Sequence, residues 1–101
     1  MRTWEDLHKI LVDLLGSDHV YFQPPESVKM VYPCIRFSEE GYDIKKANDK
    51  SYIKNTRYQI VVITKTPNPE VLDKIIDLPY CGPGPAYKAS GLYHYTFTLY
   101  F

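Results

Sequence analysis

Leu92-Tyr93-His94-Tyr95-Thr96-Phe97-Thr98-Leu99-Tyr100-Phe101 decides the fold class, because it alternates without a break. Tyr93, Tyr95, Phe97, Leu99 and Phe101 fall on one side, and Leu92, His94, Thr96, Thr98 and Tyr100 on the other. Successive side chains of a strand leave opposite faces, so this stretch predicts a strand with one aromatic face turned to a core. The sequence ends there without a tail, and its last residues are expected to be held in a sheet rather than frayed.

The rest of the chain supplies partners for that strand. Thr3 and Asp6 have the spacing of a capping box, with Asp in place of the preferred Glu or Gln. Trp4, Leu7, Leu11, Leu14 and Leu15 then recur at helical spacing, and Gly16 suits a C-terminal cap, which predicts a helix over 4–15. His19 to Phe22 reads as a short strand that Pro24-Pro25 ends, followed by a loop to Lys29. Tyr32 to Ser38 reads as a second strand, with Ile35 and Phe37 on one side and Cys34 and Arg36 on the other. Pro33 places it at an edge or marks its first residue.

Tyr52 to Lys65 predicts a long strand. Its run Ile60-Val61-Val62-Ile63-Thr64 is apolar on both faces, as in a central strand covered on both sides. Its first half is mostly polar. A fourteen-residue strand spans roughly 46 Å, whereas a domain of this size is roughly 34 Å across. The excess predicts that residues 39–57 form a hairpin standing out from the body, with the Glu39-Glu40 and Asp43 region at a turn. The alternative is a bulge near Asn55 that folds the segment back.

Asn68 suits an N-cap, Pro69 the first helical position and Glu70 the positive end of the dipole, predicting a second helix with Val71, Leu72, Ile75 and Ile76 buried. Leu78-Pro79 stops it. Tyr80-Cys81 opens a strand interrupted by Gly82-Pro83-Gly84-Pro85 and resumed at Ala86-Tyr87-Lys88, and Ser90-Gly91 turns into the terminal strand. The order α-β-β-β-α-β-β predicts an α+β two-layer domain over residues 1–101, a mainly antiparallel sheet of four to five strands, two helices and a projecting hairpin.

Composition narrows the function classes. Twelve Lys plus Arg balance twelve Asp plus Glu, giving zero net charge. That argues against a dedicated nucleic-acid binder and does little to keep copies apart. The ten tyrosines suit half-buried sheets and interfaces. There is no apolar run long enough for a membrane span and no signal-peptide core after Met1, so a reducing cytoplasm is expected. Cys34 and Cys81 read as small core residues.

No chemistry emerges from spacing. His8, His19 and His94 share no metal-ligand pattern with each other or with the cysteines. No nucleophile-elbow, zincin, dinucleotide-binding or phosphate-loop motif occurs. Pro83 and Pro85 remove the donors that a phosphate cradle at Gly82 and Gly84 would need. Glu39, Glu40 and Asp43 could suggest a metal nuclease, but such sites need carboxylates converging on paired ions, and a solvated surface is the expectation. No enzyme, catalytic residue, metal or cofactor is expected.

The order of segments in the second half has a likeness. Tyr52-Ile53-Lys54, Arg57-Tyr58 leading into Val61-Val62-Ile63-Thr64, the Pro-initiated helix, Asp77-Leu78-Pro79-Tyr80-Cys81 and the ending from His94 follow one another. The first half agrees, with Trp4 in a leading helix, then Val20-Tyr21-Phe22-Gln23-Pro24-Pro25 and Tyr32-Pro33-Cys34-Ile35. Over nearly its whole length the chain resembles the tail-completion, or tail-terminator, proteins of long-tailed bacteriophages and prophages.

The resemblance implies a structural protein that caps the tail tube as a ring, typically hexameric. Such a ring ends tube polymerisation and offers a docking face to the head connector. Implied partners are copies of itself, the tail tube protein and the head–tail connector protein, with DNA passing through the ring and no specific nucleic-acid binding. The implied location is the head-proximal end of the virion tail, and the host bacterial cytoplasm during assembly. The expected contact surface is the projecting segment, with Tyr42, Asp43, Ile44, Lys45, Lys46, Asp49, Lys50, Tyr52 and Ile53. A head–tail connector adaptor and a non-phage interaction module are the competing functions.

Overall fold

The computed structural model describes residues 3–25, 29–47 and 51–101, and over 42–47 and 51–55 it describes the backbone. Helix α1 spans Trp4–Leu15. Its capping box is formed: Thr3 N–H donates to the Asp6 carboxylate at 3.0 Å and Asp6 N–H to Thr3 Oγ1 at 3.4 Å. The backbone bond from Thr3 holds the Asp6 carboxyl below the usual carboxylate range. Gly16 ends the helix at φ 77°, and its N–H donates to the Val12 carbonyl at 2.9 Å. An L residue there would be strained, which is why glycine serves as the cap.

Five strands follow, β1 Val20–Phe22, β2 Cys34–Ala47, β3 Ser51–Thr64, β4 Cys81–Ala89 and β5 Leu92–Tyr100, with α2 Val71–Ile76 between β3 and β4. They form one sheet in the order β1-β2-β3-β5-β4. Only β1 and β2 pair in parallel among these strands. The fold class is α+β, as expected from the element order.

Both helices lie on one face. Leu7 and Leu11 of α1 and Val71 and Ile75 of α2 bury against Ile35, Phe37, Tyr58, Ile60, Val62, Phe97 and Leu99. An aromatic series crosses this face. Trp4 stacks on Phe22 at 4.5 Å, Phe22 meets Phe37 at 4.9 Å, Phe37 meets Tyr58 at 6.1 Å, and Tyr58 meets Phe101 edge-on at 6.3 Å. Offset and edge contacts of this kind add to the area term at ring separations of roughly 4.5–7 Å.

The opposite face is covered locally. A parallel pair cannot be joined by a tight hairpin, so the chain must return along the sheet between β1 and β2. With α1 and α2 on one face, Met30 and Tyr32 of that return pack on the other, over Cys34, Val61 and Ile63 with Tyr21 and Leu92. Val31 N–H donates to the Tyr21 hydroxyl at 3.2 Å and ties the return down. The two-sided apolar run of β3 therefore has cover on both faces.

β3 runs unbroken for fourteen residues, and the molecule measures 50 × 25 × 23 Å. The long axis reflects a β2–β3 ribbon that extends past the other strands: β5 pairs with β3 only from Arg57 to Thr64, and β1 with β2 only at Ile35 to Phe37. Asn55 pairs with Asp43 in register, so the fold-back near Asn55 does not occur. The irregularity lies in β2, between Glu39 and Gly41.

Three local expectations are corrected and one, for Pro33, is narrowed to the start of its strand. The Glu39, Glu40 and Asp43 region is strand, not turn. Pro33 stands just before β2, preceded by a cis peptide bond, and not at an edge, because β2 lies between β1 and β3. Asn68 is not the cap of α2. It takes φ 52°, and its N–H donates to the Tyr95 hydroxyl at 3.0 Å, so a tertiary bond sets the turn and the helix starts at Val71. β4 is not interrupted by its prolines; it continues with a register shift between Pro83 and Ala86. Proline is tolerated there because β4 is an edge strand.

That shift brings β4 against Thr96. Thr96 Oγ1 donates to the Pro85 carbonyl at 2.6 Å, and a Cβ at Gly84 would lie 2.5 Å from that same oxygen. A Cβ at Gly82 would meet nothing within 4 Å. Gly84→Ala is expected to cost on the order of 1–3 kcal/mol, the usual range for overpacking. Gly82→Ala is expected to stay within about 0.5 kcal/mol of wild type or stabilise slightly. Urea denaturation of the two variants checks this, and equal midpoints would refute the close approach.

Candidate functional site

The projecting ribbon starts at a one-residue bulge. Glu39 pairs with Tyr58 and Gly41 with Arg57, leaving Glu40 as the extra residue. Bulges bend a strand and change its twist. Gly41 sits at φ 146°, a conformation that suits glycine. Arg57 Nη2 donates to the Glu40 carbonyl at 3.3 Å, and Arg57 Nε lies 4.0 Å from a Glu40 carboxylate oxygen. That second distance is too long for a hydrogen bond, and both side chains are about two-fifths exposed, so the pair adds little energy. Its effect is geometric: one side chain holds the bulged carbonyl at the ribbon's root.

The bulge also sets which backbone groups face outward. Ile35 N–H donates to the His19 carbonyl, the Phe37 carbonyl accepts from Gln23 N–H, and Glu39 N–H donates to Gln23 Oε1. Odd residues of β2 thus face away from β3 up to Glu39. On the other side, Phe101 N–H donates to the Thr56 carbonyl at 2.9 Å, so Thr56 faces away from β2. Residues opposite one another in an antiparallel ladder either bond to each other or both turn away, and the two kinds alternate. Tyr42 is opposite Thr56, Ile44 opposite Lys54 and Lys46 opposite Tyr52. These residues therefore direct their N–H and C=O groups to the two outer margins of the ribbon. Asp43, Lys45, Ile53 and Asn55 direct theirs into the ladder.

This divides the residues singled out from sequence. Tyr42, Ile44, Lys46 and Tyr52 occupy register positions on the ribbon face continuous with the helix-bearing face, and Asp43, Lys45 and Ile53 occupy the opposite face. Asp49 and Lys50 lie outside the described residues.

The groups that could carry chemistry have structural partners. His8 Nε2 is 3.1 Å from the Val20 carbonyl and His94 Nδ1 is 3.1 Å from the Leu92 carbonyl. His94 also stacks on Tyr87 at 4.8 Å. His19 lies 3.9 Å from exposed Asp18. Among the described residues, no group of three or more His, Cys, Asp or Glu side chains could hold a metal ion. No helix among them is long and apolar enough to cross a membrane.

Both cysteines are free thiols. Cys34 is fully buried under Tyr32 and Met30, and Cys81 is half-buried beside α2. Burial pushes the Cys34 thiol up from an ordinary 9.0 to about 11 and raises Cys81 as well. Thiolate is the reactive form, so both are poor nucleophiles at neutral pH.

An apolar recess of about 120 Å³ lies between α1, the α2–β4 connection and the end of β5, lined by Leu7, Ile10, Leu78, Pro79, Leu99 and Phe101. Beside it in sequence, Tyr80 takes φ 60° and is 82% exposed. Its carbonyl accepts from Tyr100 N–H at 3.1 Å, which keeps the backbone in the sheet margin while the ring stands in solvent.

Sequence reading missed the bulge, the Gly84 contact and the recess. A glycine inside a strand pattern signals a bulge or a close backbone approach, and both Gly41 and Gly84 carry that signal. The recess joins residues distant in sequence and leaves no local mark. No family model matches the chain, and no curated protein matches it.

The Cys34 environment predicts a pH response. The native pKa lies above the unfolded one, so its contribution is intact below about pH 9 and is lost as pH rises toward about 11. Wild type is expected to lose more stability than Cys34→Ala between pH 8.5 and pH 10.5, measured by urea denaturation of both. Parallel losses would contradict the assignment.

Proposed function

We propose that this protein is a structural, non-catalytic component of a long-tailed phage or prophage. In this reading copies assemble as a ring on the tail tube, end its polymerisation and present a face to the head connector. The resemblance of its segment order to that of tail-terminator proteins supports this reading. The observation that carries the mechanism is the β2–β3 ribbon reaching beyond the body along the 50 Å axis. A head-to-tail ring needs two different surfaces on each copy, related by a rotation that closes. A ribbon with margins on both sides supplies two such surfaces, and its mixed charges favour register over raw affinity. Rings of this kind need no cofactor.

The test is electron microscopy of tails assembled without this protein. Overlong, headless tubes are expected. Tails of normal length that fail to join heads would overturn termination in favour of a connector adaptor. The ribbon's part is tested by replacing residues 44–54 with an Asn-Gly turn between the paired Asp43 and Asn55. This variant is expected to fold, with a melting temperature within a few degrees of wild type, and to give the same overlong tails. Normal capping by it would remove the ribbon from the mechanism.

A further inference from the structure

We infer that the ribbon joins copies of this chain by strand addition: the β2 margin of one copy, at Tyr42, Ile44 and Lys46, pairs antiparallel with the β3 margin of the next, at Tyr52 and Lys54. The inference rests on the ring reading above and names its contact. It is carried by the backbone.

A strand margin presents a row of N–H and C=O groups, and proteins usually guard such rows. This sheet guards its ordinary margins. β4 carries Pro83, Pro85 and a register shift, and β1 is three residues long. The ribbon carries Lys46 and Lys54 at outward positions and a bulge at its root, but its described strands have no proline and are not shortened. Described pairings place no third strand beside residues 42–47 or 51–55. The outward groups recur at every second residue on both sides, which is the spacing a new ladder requires.

The occupant follows from direction and number. β2 and β3 run antiparallel, so a second ribbon pointing the same way as the first, as neighbours in a ring do, continues the alternation only if its β3 meets the first β2. That contact leaves one margin open at each end of the pair, and the same contact repeats. A foreign strand would satisfy one margin and leave the other bare. Repetition ends when the ribbons close on themselves, which abolishes margins altogether. The named contact residues carry two cations, Lys46 and Lys54, and no acid; a register that repeats the ribbon's own, Ile44 opposite Lys54 and Lys46 opposite Tyr52, keeps those cations from standing directly opposite each other.

Proline tests this without breaking the ribbon, because at Ile44 or Lys54 it removes an N–H that points outward and spares the internal ladder. Sedimentation of purified wild type across micromolar to millimolar concentration is expected to show one closed oligomer at the top of the range. Ile44→Pro and Lys54→Pro are each expected to stay monomeric. Each keeps one intact margin of the opposite kind, so an equal mixture is expected to form heterodimers and nothing larger.

A wild type that stays monomeric throughout, or an Ile44→Pro that assembles like wild type, would overturn the inference. So would a Lys54→Pro that dimerises alone, which would mean two-fold β2 pairing. Where a proline variant unfolds by circular dichroism, oxidative cross-linking replaces it. Ile44→Cys and Lys54→Cys, each on a Cys34→Ala, Cys81→Ala background, are expected to cross-link when mixed and not alone; cross-linking in either alone, or in neither, would also overturn it. Tail length by microscopy reads termination separately, so a ring held by another surface would fail here and survive there.

Discussion

One strand has to satisfy two demands that pull apart. The C-terminal half of β3 is the centre of the sheet, hydrogen-bonded on both sides and buried on both faces, with Ile60, Val62 and Ile63 at 0–3% exposure. Its N-terminal half leaves the body with one neighbour. Backbone hydrogen bonds leave little choice about how this is done. A ladder that continues past its flanking strands keeps its internal bonds and exposes every second amide and carbonyl. The projecting ribbon and its alternating margins follow from β3 outrunning β5 and β2 outrunning β1.

The body makes that extension affordable. A two-stranded ribbon is marginal on its own. Here it grows out of a core that crosses the sheet through Phe22, Phe37, Tyr58 and Phe101 and is sealed by α1 and α2. Arg57 sits where the two regimes meet, on the last residue pair shared by β3 and β5, and grips the bulged Glu40 carbonyl. The bulge moves β2 by one residue while β3 keeps its phase. That is why the outward positions change from Phe37 and Glu39 to Tyr42 and Ile44.

Much of this was legible in the chain. Alternation from Leu92 to Phe101, the helical stripe of α1 and the two-sided apolar run of β3 are period-2 and period-3.6 patterns, set by local geometry and burial. Strand length against body size was enough to bring out the ribbon. What was not legible depends on contacts made across the fold. Asn68 reads as a helix cap until the Tyr95 hydroxyl claims its amide. Gly82-Pro83-Gly84-Pro85 reads as a break until β5 is laid beside it and Thr96 meets the Pro85 carbonyl. Glu39-Glu40-Gly41 reads as a turn because charge and glycine mark turns and bulges alike. Of the contact surface, the segment was legible; the division into outward and inward backbone groups was not, since it depends on the bulge.

Amide exchange read residue by residue is the most direct check on that division. In dilute protein a sawtooth is expected along the ribbon: slow exchange at Asp43, Lys45, Ile53 and Asn55, fast exchange at Tyr42, Ile44, Lys46, Tyr52 and Lys54, and protection of the fast set as concentration rises. Uniform exchange along both strands, whether fast or slow, at every concentration would contradict it.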